Sequence, residues 1–489
     1  VISPTACARG SYKLWFELKT DQPFKVISSE EKSITLIFND NIKQVETRIT
    51  VSPIDQITAR EEAKQEIDSS FKAIKKRAMA LWREKLGKID IEGDDEELKT
   101  IFYTSLYRIY LSPMDVTSTD GRYLGTDGVV YQADNFRYYS SWSMWDTFRT
   151  KFPLLVILEE EAMSDIARSA LDLFKTGKRD WATPFESTPT VRTEHMQIML
   201  LDAYQKGIEG IDFSIAYEAM KEEAASLPMR SPDQRMESAY DLWAMGHIAD
   251  ILGYTDDSNY FSEQADSIFE ITWKKEFMLI TPDFDTMKGS GLYQGTRWQY
   301  RWAAPPYLDR MIEWCGSDTL EQQLTHFFMN NLYNQGNEPD IHTPYIFNLL
   351  GSPKRSQQIV RNLITTDMTY KYGGNAKFPK PFHGRAFRNH MEGYLPEMDE
   401  DDGTMSAWFI FGTMGIYPLL IGSETYELTS PLFDRITIHL SKSIFTIATH
   451  NRKSMDQVVK FVLLNGEKID VNRITHEKLL QGGELIFCY

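Results

Sequence analysis

The pattern of hydrophobic and polar positions along the chain changes its period twice. Near the N-terminus apolar and polar residues alternate, which predicts strands at residues 12–18, 33–38 and 46–51. From residue 59 to residue 86 the pattern becomes helical and highly charged, which predicts a linker helix leading into the main part of the chain. After Pro418 the alternation returns, and strands are predicted at residues 435–440 and 459–464.

Between these β-rich ends, apolar residues recur at steps of three and four, as they do on one face of a helix. Leu242, Met245, Ile248 and Leu252 follow this spacing. Amphipathic helices are predicted at residues 95–110, 159–175, 233–252, 260–273 and 356–365. Helices that follow one another without intervening strands are typical of packed helical hairpins. The sequence shows no short repeat of the kind that would indicate a solenoid. The pattern therefore predicts a mainly α protein.

The composition narrows the classes of partner. The 489 residues include 53 Lys and Arg against 70 Asp and Glu, and the formal charge of −17 argues against a nucleic acid or an anionic membrane as partner. No apolar run reaches the length of a membrane-spanning helix. Cys7, Cys315 and Cys488 are too few and too scattered to predict a disulfide framework or a zinc site. They leave the cellular compartment open.

One acidic stretch carries the strongest hint of chemistry. Five carboxylates lie between Glu397 and Asp402, and an apolar run from Met405 to Leu420 follows at once. Like charges this close repel one another, so water, a cation or a functional demand must hold them there. A solvated acidic loop at a helix N-terminus is the alternative, because negative charge is stabilised at that end of a helix. Local sequence alone leaves both interpretations open.

The stretch and several other strings together resemble glycoside hydrolase family 92, the calcium-dependent bacterial α-mannosidases that invert anomeric configuration. The strings that carry the resemblance occur in family order from about residue 115 to the last residue. They are Asp120-Gly-Arg-Tyr123, Ser143-Met-Trp-Asp-Thr-Phe-Arg149, Leu201-Asp-Ala-Tyr-Gln-Lys-Gly-Ile208, Gly336-Asn-Glu-Pro339, Met405-Ser-Ala-Trp408, Ser430-Pro-Leu-Phe433 and Ile474-Thr-His476. Each string alone is weak, but the ordered set is specific.

The resemblance implies the fold and its division. We expect an (α/α)6 barrel as catalytic domain, with part of a β-sandwich before it and a small β-module after it. The expected boundaries are 1–58 for the tail of the β-sandwich, 59–94 for the linker helix, 95–420 for the barrel and 421–489 for the C-terminal β-module. The chain has no initiator Met and no signal peptide, so it reads as a fragment or a processed chain. A preceding part of the same protein is then expected to complete the sugar pocket.

The catalytic residues are expected in the acidic stretch. Inverting hydrolysis needs a base that activates water on one face of the sugar and an acid that protonates the leaving oxygen on the other. The resemblance implies that Asp401 is the base and that Asp399 helps to orient the water. Glu400 and Asp402 are expected to point elsewhere.

Other parts of the resemblance imply a metal and a sugar pocket. Asn337 and Glu338 are the expected calcium ligands, and oxygen ligands suit this hard cation. The residues expected to bind the mannose are Trp145, Asp146, Glu194, His195, Trp298 and His342. The alternatives are an ordinary Asn-Glu-Pro turn, a core tryptophan at 145 and a helix cap at 146.

The main departure from the family is Gln294, where the family usually has a Glu that serves as general acid. Glutamine cannot deliver a proton, and losing a general acid slows departure of an alkoxide by a factor of about 10²–10⁴. A phosphate, whose second pKa is about 6, departs without protonation. The sequence therefore resembles the subgroup that removes mannose from mannose-1-phospho-6-mannose. A conventional exo-α-mannosidase with another acid, or an inactive glycan-binding homologue, remains the alternative.

A basic segment supports an anionic substrate. Residues 368–391 contain several Lys, Arg and His residues but no acid, in a chain of charge −17. The residues predicted to contact the phosphate are Arg297, Lys377, Lys380, Arg385 and Arg388. Alternatively, the segment balances the acidic stretch or contacts another domain.

Overall fold

The computed structural model of the chain is mainly helical. It describes residues 2–4, 11–30, 33–66, 70–140, 142–177, 195–281, 284, 291–371, 381–391, 393–395, 398, 400–469 and 472–489. The helices are α1 (Gln56–Glu66), α2 (Phe71–Leu86), α3 (Glu96–Ile109), α4 (Met144–Thr147), α5 (Lys151–Leu158), α6 (Glu160–Thr176), α7 (Met196–Gln205), α8 (Tyr217–Ala224), α9 (Pro232–Ile251), α10 (Thr255–Glu276), α11 (Arg297–Tyr300), α12 (Leu308–Cys315), α13 (Ser317–Met329), α14 (Thr343–Leu349), α15 (Pro353–Thr365), α16 (Thr404–Met414) and α17 (His476–Leu480).

The strands are short and concentrate at the two ends of the sequence. They are β1 (Ile2–Pro4), β2 (Ser11–Lys13), β3 (Trp15–Thr20), β4 (Lys25–Ser29), β5 (Ile34–Ile37), β6 (Thr47–Ser52), β7 (Ile89–Glu92), β8 (Met114–Asp115), β9 (Arg122–Leu124), β10 (Val130–Gln132), β11 (Tyr139–Ser140), β12 (Met368–Tyr370), β13 (Phe382–Gly384), β14 (Ile416–Tyr417), β15 (Thr425–Leu428), β16 (Arg435–His439), β17 (Ile444–His450), β18 (Phe461–Leu464), β19 (Glu467–Ile469), β20 (Arg473–Thr475) and β21 (Gly483–Cys488).

The chain divides into two compact units. The first unit contains Val1–Leu86, Ser112–Ser143 and Arg168–Glu194. Its strands form antiparallel pairs, in which β3 pairs with β6, β4 with β5, and β9 with β10. A small core is built around Tyr123 and Tyr138, whose rings stack with centroids 3.9 Å apart.

The second unit contains Gly87–Leu111, Met144–Ala167 and His195–Tyr489. In it α9 packs against α10, and α14 packs against α15. Helix α9 begins after Ser231 with Pro232 in its first turn, a position where proline needs no amide hydrogen. Gly253, at a φ of 77°, follows its end and lets the chain reverse into α10. Every residue of α16 is buried, because this helix is apolar on all sides and lies inside the unit.

The described part of the second unit also contains the antiparallel pair β12–β13 and two larger sheets. The larger has the order β19-β18-β21-β17-β16-β7, in which only the β17–β21 pair is parallel. The smaller has the order β14-β15-β20. Strand β7 thus joins the C-terminal strands, although it lies before α3 in the sequence.

The sequence pattern located the main elements. The predicted helices correspond to α3, α6, α9, α10 and α15, and the predicted C-terminal strands to β16 and β18. Helix α10 begins five residues before its predicted start, because its first turn is polar and adds no apolar period. The predicted linker region, 59–94, includes most of α1, all of α2 and the strand β7. The four-part domain division stays a prediction.

Candidate active site

Three carboxylates from distant parts of the sequence meet in the second unit. Asp146, Glu338 and Asp401 each offer one oxygen, and these oxygens lie within 4.8 Å of one another. Asp146 lies on α4, while Glu338 and Asp401 each begin a short 3-10 turn. Asp146 and Glu338 are buried, and Asp401 is partly exposed. We call this set the carboxylate triad.

Helix α4 is fixed by contacts around Asp146. Trp145 Nε1 donates a hydrogen bond to Glu237 Oε1 at 2.7 Å, and the Trp145 ring meets Tyr293 edge-on at 5.3 Å. Arg149 Nε donates to the Trp145 carbonyl oxygen at 3.2 Å, and Arg149 Nη2 lies 3.8 Å from Glu237 Oε1. Because Glu237 belongs to α9, this long helix sets the orientation of the segment that carries Asp146.

The turn that carries Glu338 leaves buried oxygens without partners. Neither carboxylate oxygen of Glu338 has a hydrogen-bond partner among the described residues. Asn337 Oδ1 accepts the Glu338 backbone N–H at 3.1 Å. Asp340 Oδ2 accepts the Asn334 N–H at 3.0 Å, while Asp340 Oδ1 also lacks a partner there. Buried carboxylate oxygens without partners are costly, so a group from outside the protein is expected at Glu338.

The turn that carries Asp401 has an unusual backbone. Asp401, Asp402 and Gly403 have φ values of 46°, 54° and 102°, so two non-glycine residues in a row adopt the left-handed conformation. Glu400 Oε2 accepts the Gly403 N–H at 2.7 Å, and Lys151 Nζ donates to the Asp402 carbonyl oxygen. Such strain persists only where the surroundings hold the backbone, and it concentrates at functional sites. Glu400 closes this turn, so its role is more than that of a solvated side chain.

The electrostatics of the triad favour a bound cation. Burial raises the pKa of Glu338 to about 8, and the Asp146 carboxylate acts in the same direction. The charge of Arg149 lowers the pKa but does not compensate. A hard divalent cation is bound by oxygen ligands and would lower the cost of three converging carboxylates. The residues present therefore fit a cation such as Ca²⁺.

Gln294 lies beside the Glu338 turn and is exposed. Asn337 Nδ2 donates to the Gln294 carbonyl oxygen at 2.8 Å and to its Oε1 at 3.2 Å. On the other side, the Tyr293 N–H donates to Asp233 Oδ2 at 2.7 Å. A Cβ atom on Gly295 would lie 2.6 Å from the Tyr300 ring, so only glycine fits there. These contacts hold Gln294 at a φ of 46° next to the triad's turn.

Trp298 and His342, two further predicted sugar-binding residues, are also deeply buried. Trp298 is 2% exposed, stacks on His326 at 5.4 Å and meets Phe284 edge-on at 5.2 Å. His342 Nε2 lies 2.7 Å from the Trp302 carbonyl oxygen, and burial lowers the pKa of His342 to about 4. His342 is thus neutral and donates this hydrogen bond. Their contact with a substrate stays a prediction.

His195 begins the segment that leads into α7. Its ring is buried, its Nδ1 lies 3.0 Å from Asp241 Oδ2, and the Phe148 ring lies 4.8 Å away. Its φ of 68° is left-handed. Its predicted role in sugar binding also remains untested.

The predicted phosphate-binding arginines all have protein partners. Arg297 pairs with Glu276 Oε2 at 2.9 Å. Arg385 lies 3.5 Å from Glu97 Oε1, and Arg388 donates a hydrogen bond to the Tyr394 carbonyl oxygen. A phosphate would have to share or replace these contacts. The remaining predicted residues Glu194, Lys377, Lys380 and Asp399 lie outside the described residues.

Sequence reasoning missed the residues that support the site. Glu237 and Arg149 fix α4, Lys151 holds the Asp401 turn, and Asp233 holds the turn before Gln294. The sequence did contain one indication of such residues: Asp233, Glu237 and Asp241 recur at steps of four within a predicted amphipathic helix. Carboxylates at this spacing share one face of a helix.

Most glycoside hydrolases use a pair of Asp or Glu carboxyl groups that face one site, so the converging carboxylates are compatible with this class of enzyme. Comparison with known families agrees with this class. The glycosyl hydrolase family 92 catalytic domain matches residues 58–235, 228–376 and 381–488. The chain therefore belongs to glycosyl hydrolase family 92. No match was found among curated protein sequences.

Solved structures of this family share the fold. The GH92 family glycosyl hydrolase CcMan5 is 28% identical with a TM-score of 0.87, and the match covers 98% of this chain and 72% of that one. The GH92 α-mannosidase BT3965 from Bacteroides thetaiotaomicron is 23% identical with a TM-score of 0.81, covering 98% and 70%. It has also been solved in complex with mannoimidazole. The inverting mannosidase BT2199 from the same organism is 21% identical with a TM-score of 0.80, covering 98% and 73%.

These likenesses confirm the predicted fold class, a mainly α protein with a helical barrel and a C-terminal β-module. That the N-terminal strand pairs are the tail of a β-sandwich stays a prediction. Among the described residues, no helix combines the length and the apolar character that crossing a membrane requires.

Proposed function

We propose that the chain is an inverting, exo-acting α-mannoside hydrolase that releases mannose from mannose-1-phospho-6-mannose glycans. The observation on which the proposal rests is the presence of Gln294 and its hydrogen bond to Asn337. This residue stands where the family usually has its general acid, and its side chain is hydrogen-bonded to Asn337, one residue from Glu338. A residue that cannot give a proton is thus held beside the carboxylate triad.

The triad supports a cation-assisted sugar site. Glu338 and, by the family resemblance, Asn337 would hold Ca²⁺, with an oxygen of Asp146 close by. Bound Ca²⁺ would supply a Lewis acid for two neighbouring hydroxyl groups of the mannose. Trp145 and Asp146 would bind the same sugar, and Glu237 and Arg149 keep the helix that carries both residues in place.

Asp401 is proposed as the base. It is the most accessible member of the triad, as expected for a residue that must meet water. Its carboxylate takes a proton from the water while the water oxygen forms a bond to C1 of mannose. The bond from C1 to the phosphate oxygen breaks, and the phosphate leaves with that electron pair. The products are mannose, initially the β anomer, and a phosphomonoester.

The leaving group explains why Gln294 suffices. An alkoxide needs a proton as it leaves, and a general acid contributes about 10²–10⁴-fold to such a step. A phosphate monoester, with a second pKa of about 6, is stable as an anion at neutral pH. Glutamine also adds no negative charge beside an anionic substrate, whereas an ionised glutamate would repel it.

The deciding experiment compares two substrates with the wild-type enzyme in the presence of calcium. Mannose-1-phospho-6-mannose should be hydrolysed far faster than α-linked mannobiose, because only the alkoxide requires protonation. Gln294→Glu should raise the rate on mannobiose and lower the rate on the phosphodiester. A wild-type enzyme that prefers mannobiose would overturn the proposal and favour a conventional exo-α-mannosidase.

A further inference from the structure

The side chain of Asn337 has a fixed orientation. Its Oδ1 accepts the Glu338 N–H at 3.1 Å, and its Nδ2 donates to the Gln294 carbonyl oxygen at 2.8 Å. If the Asn337 carboxamide were reversed, its NH₂ group would face the Glu338 N–H, and both groups are donors. Its oxygen would face the Gln294 carbonyl oxygen, and both atoms are acceptors. The two backbone groups therefore dictate which end of the Asn337 amide faces Gln294.

The fixed Asn337 amide in turn orients Gln294. The same Nδ2 lies 3.2 Å from Gln294 Oε1, and only the oxygen end of the glutamine amide can accept this hydrogen bond. The Gln294 backbone is also held, because the Tyr293 N–H is bound by Asp233 and the Tyr293 carbonyl oxygen accepts the Tyr300 hydroxyl at 2.6 Å. With Oε1 bound to Asn337, the Nε2 group forms the opposite end of the amide.

We propose that Asn337 is a positioning residue that makes Gln294 a hydrogen-bond donor to the anionic oxygen of the leaving phosphate. This inference rests on the proposed function and adds the residue that sets leaving-group selectivity. An amide free to rotate could also present Oε1, an acceptor that repels a phosphate oxygen. A hydrogen bond to a charged oxygen is stronger than one between neutral groups, so the orientation selects for the phosphate.

The test uses Asn337→Ser. Serine is a good helix cap, so its hydroxyl can still accept the Glu338 N–H but is too short to reach Gln294. Hydrolysis of mannose-1-phospho-6-mannose is compared with that of 4-nitrophenyl α-mannoside, because neither leaving group needs a general acid. We expect kcat/KM for the phosphodiester to fall about tenfold more than kcat/KM for the aryl mannoside, a difference of ~1.4 kcal/mol.

A double-mutant cycle separates orientation from damage to the turn. Gln294→Met removes the amide, so adding Asn337→Ser in that background should not change the ratio of the two kcat/KM values further. Asn334→Ala is the matched control, since Asn334 Oδ1 accepts the Gly336 N–H in the same loop without touching Gln294. This control should leave the ratio at its wild-type value.

Three outcomes would overturn the inference. They are an equal loss on both substrates, a selective loss that persists in the Gln294→Met background, or a change of ratio in Asn334→Ala. Each leaves the proposed function intact as long as the wild type prefers the phosphodiester to mannobiose. A wild type without phosphodiesterase activity would instead overturn the proposed function itself.

Discussion

Two clusters of buried ionisable residues in the second unit differ in how their charges are balanced. The carboxylate triad brings together three groups of the same sign, and both oxygens of Glu338 lack a partner among the described residues. The other cluster, which we call the C-terminal cluster, consists of Asp202, Lys206, Tyr426 and His476.

In the C-terminal cluster every charge is matched within the protein. Lys206 Nζ donates to both Asp202 oxygens, at 2.6 and 2.8 Å, and the Gly422 N–H donates to Asp202 Oδ1 at 2.9 Å. Lys206 Nζ also lies 5.0 Å from the centre of the Tyr426 ring, and the Tyr426 hydroxyl is 2.9 Å from His476 Nδ1. Burying a charge is costly unless a partner is buried with it.

The contrast distinguishes a cluster that stabilises the fold from a cluster that is expected to bind a ligand. The charges of the C-terminal cluster balance each other, and the contact of Asp202 with Gly422 links α7 to the segment that follows α16. The triad, in which Asp146 and Glu338 are buried and Asp401 is partly exposed, needs something that the chain does not supply, as expected of a site that binds a cation and a substrate. Removing charge should therefore have opposite consequences in the two clusters.

The largest effect is expected at Asp401. Asp401→Asn removes the proposed base, so hydrolysis of the phosphodiester should fall about 10²–10⁴-fold, as for the loss of a general base. Stability should change little, because Asn tolerates the left-handed backbone that Asp401 adopts. Initial rates and thermal unfolding measure the two effects, and early NMR spectra of the wild-type reaction should show β-mannose.

Asp402→Asn is the matched control. Asp402 is the adjacent acid with a similar φ of 54°, and its carbonyl oxygen, which Lys151 binds, survives the substitution. Activity close to that of the wild type is expected, because Asp402 is given no part in the reaction. A comparable loss in both variants, or an early excess of α-mannose, would contradict the role of Asp401.

Much of the fold could be predicted because it depends on periodicity. Helices α3, α6 and α9 follow from apolar steps of three and four, and β16 and β18 from alternation. Helix α4 could not be predicted in this way, since its four residues span about one turn and are all buried. Its position depends on Glu237 and Arg149, which contribute through tertiary contacts.

The candidate site was less accessible to sequence reasoning. The resemblance named Asp146, Glu338 and Asp401, but as a sugar ligand, a metal ligand and a base rather than as one cluster. The left-handed turn at Asp401 depends on Lys151, 251 residues away from Asp402, so no local pattern could indicate it. Nor can a sequence reveal that Glu338 lacks partners, because that property belongs to its surroundings.

The second largest effect is expected in the C-terminal cluster. Lys206→Met leaves the Asp202 carboxylate buried without its partner, and breaking a buried ion pair on one side costs about 3–5 kcal/mol. Urea unfolding should show this loss, while calcium-dependent activity per folded molecule persists. Lys221→Met, at the partly exposed pair with Asp257, should cost about 1 kcal/mol or less. Equal losses in the two variants would contradict the contrast.

A smaller effect is expected from pH. Burial, with Lys206 acting in the same direction, lowers the pKa of His476 from 6.5 to about 3. The folded protein therefore keeps His476 neutral while the unfolded chain protonates it below pH 6.5. The stability that this group contributes is present above pH 6.5 and is lost as the pH falls from 6.5 towards 3.

The measurement compares wild type with His476→Asn at two values of pH. Between about pH 6.5 and 5 the wild type should lose on the order of 2 kcal/mol more unfolding free energy than the variant, at about 1.4 kcal/mol per pH unit. Subtracting the unfolding free energies of the two proteins removes the contributions of other titrating groups. One of these is His342, whose lowered pKa affects stability in the same direction. Parallel pH profiles for the two proteins would rule out this contribution of His476.

The smallest effect on stability is expected at Glu338, and its sign is the most informative. Glu338→Gln removes a buried carboxyl group whose ionisation burial opposes, so the calcium-free variant should be more stable than the calcium-free wild type by about 1 kcal/mol. The same variant should lose activity and the rise in Tm that calcium gives the wild type.

Glu427→Gln is the matched control, because Glu427 is a buried glutamate paired with Arg473 at 2.6 Å and Asn348 at 3.0 Å. It should be destabilised and still respond to calcium. A wild type indifferent to calcium after chelation, or a Glu338→Gln variant that still responds, would remove the metal from the triad.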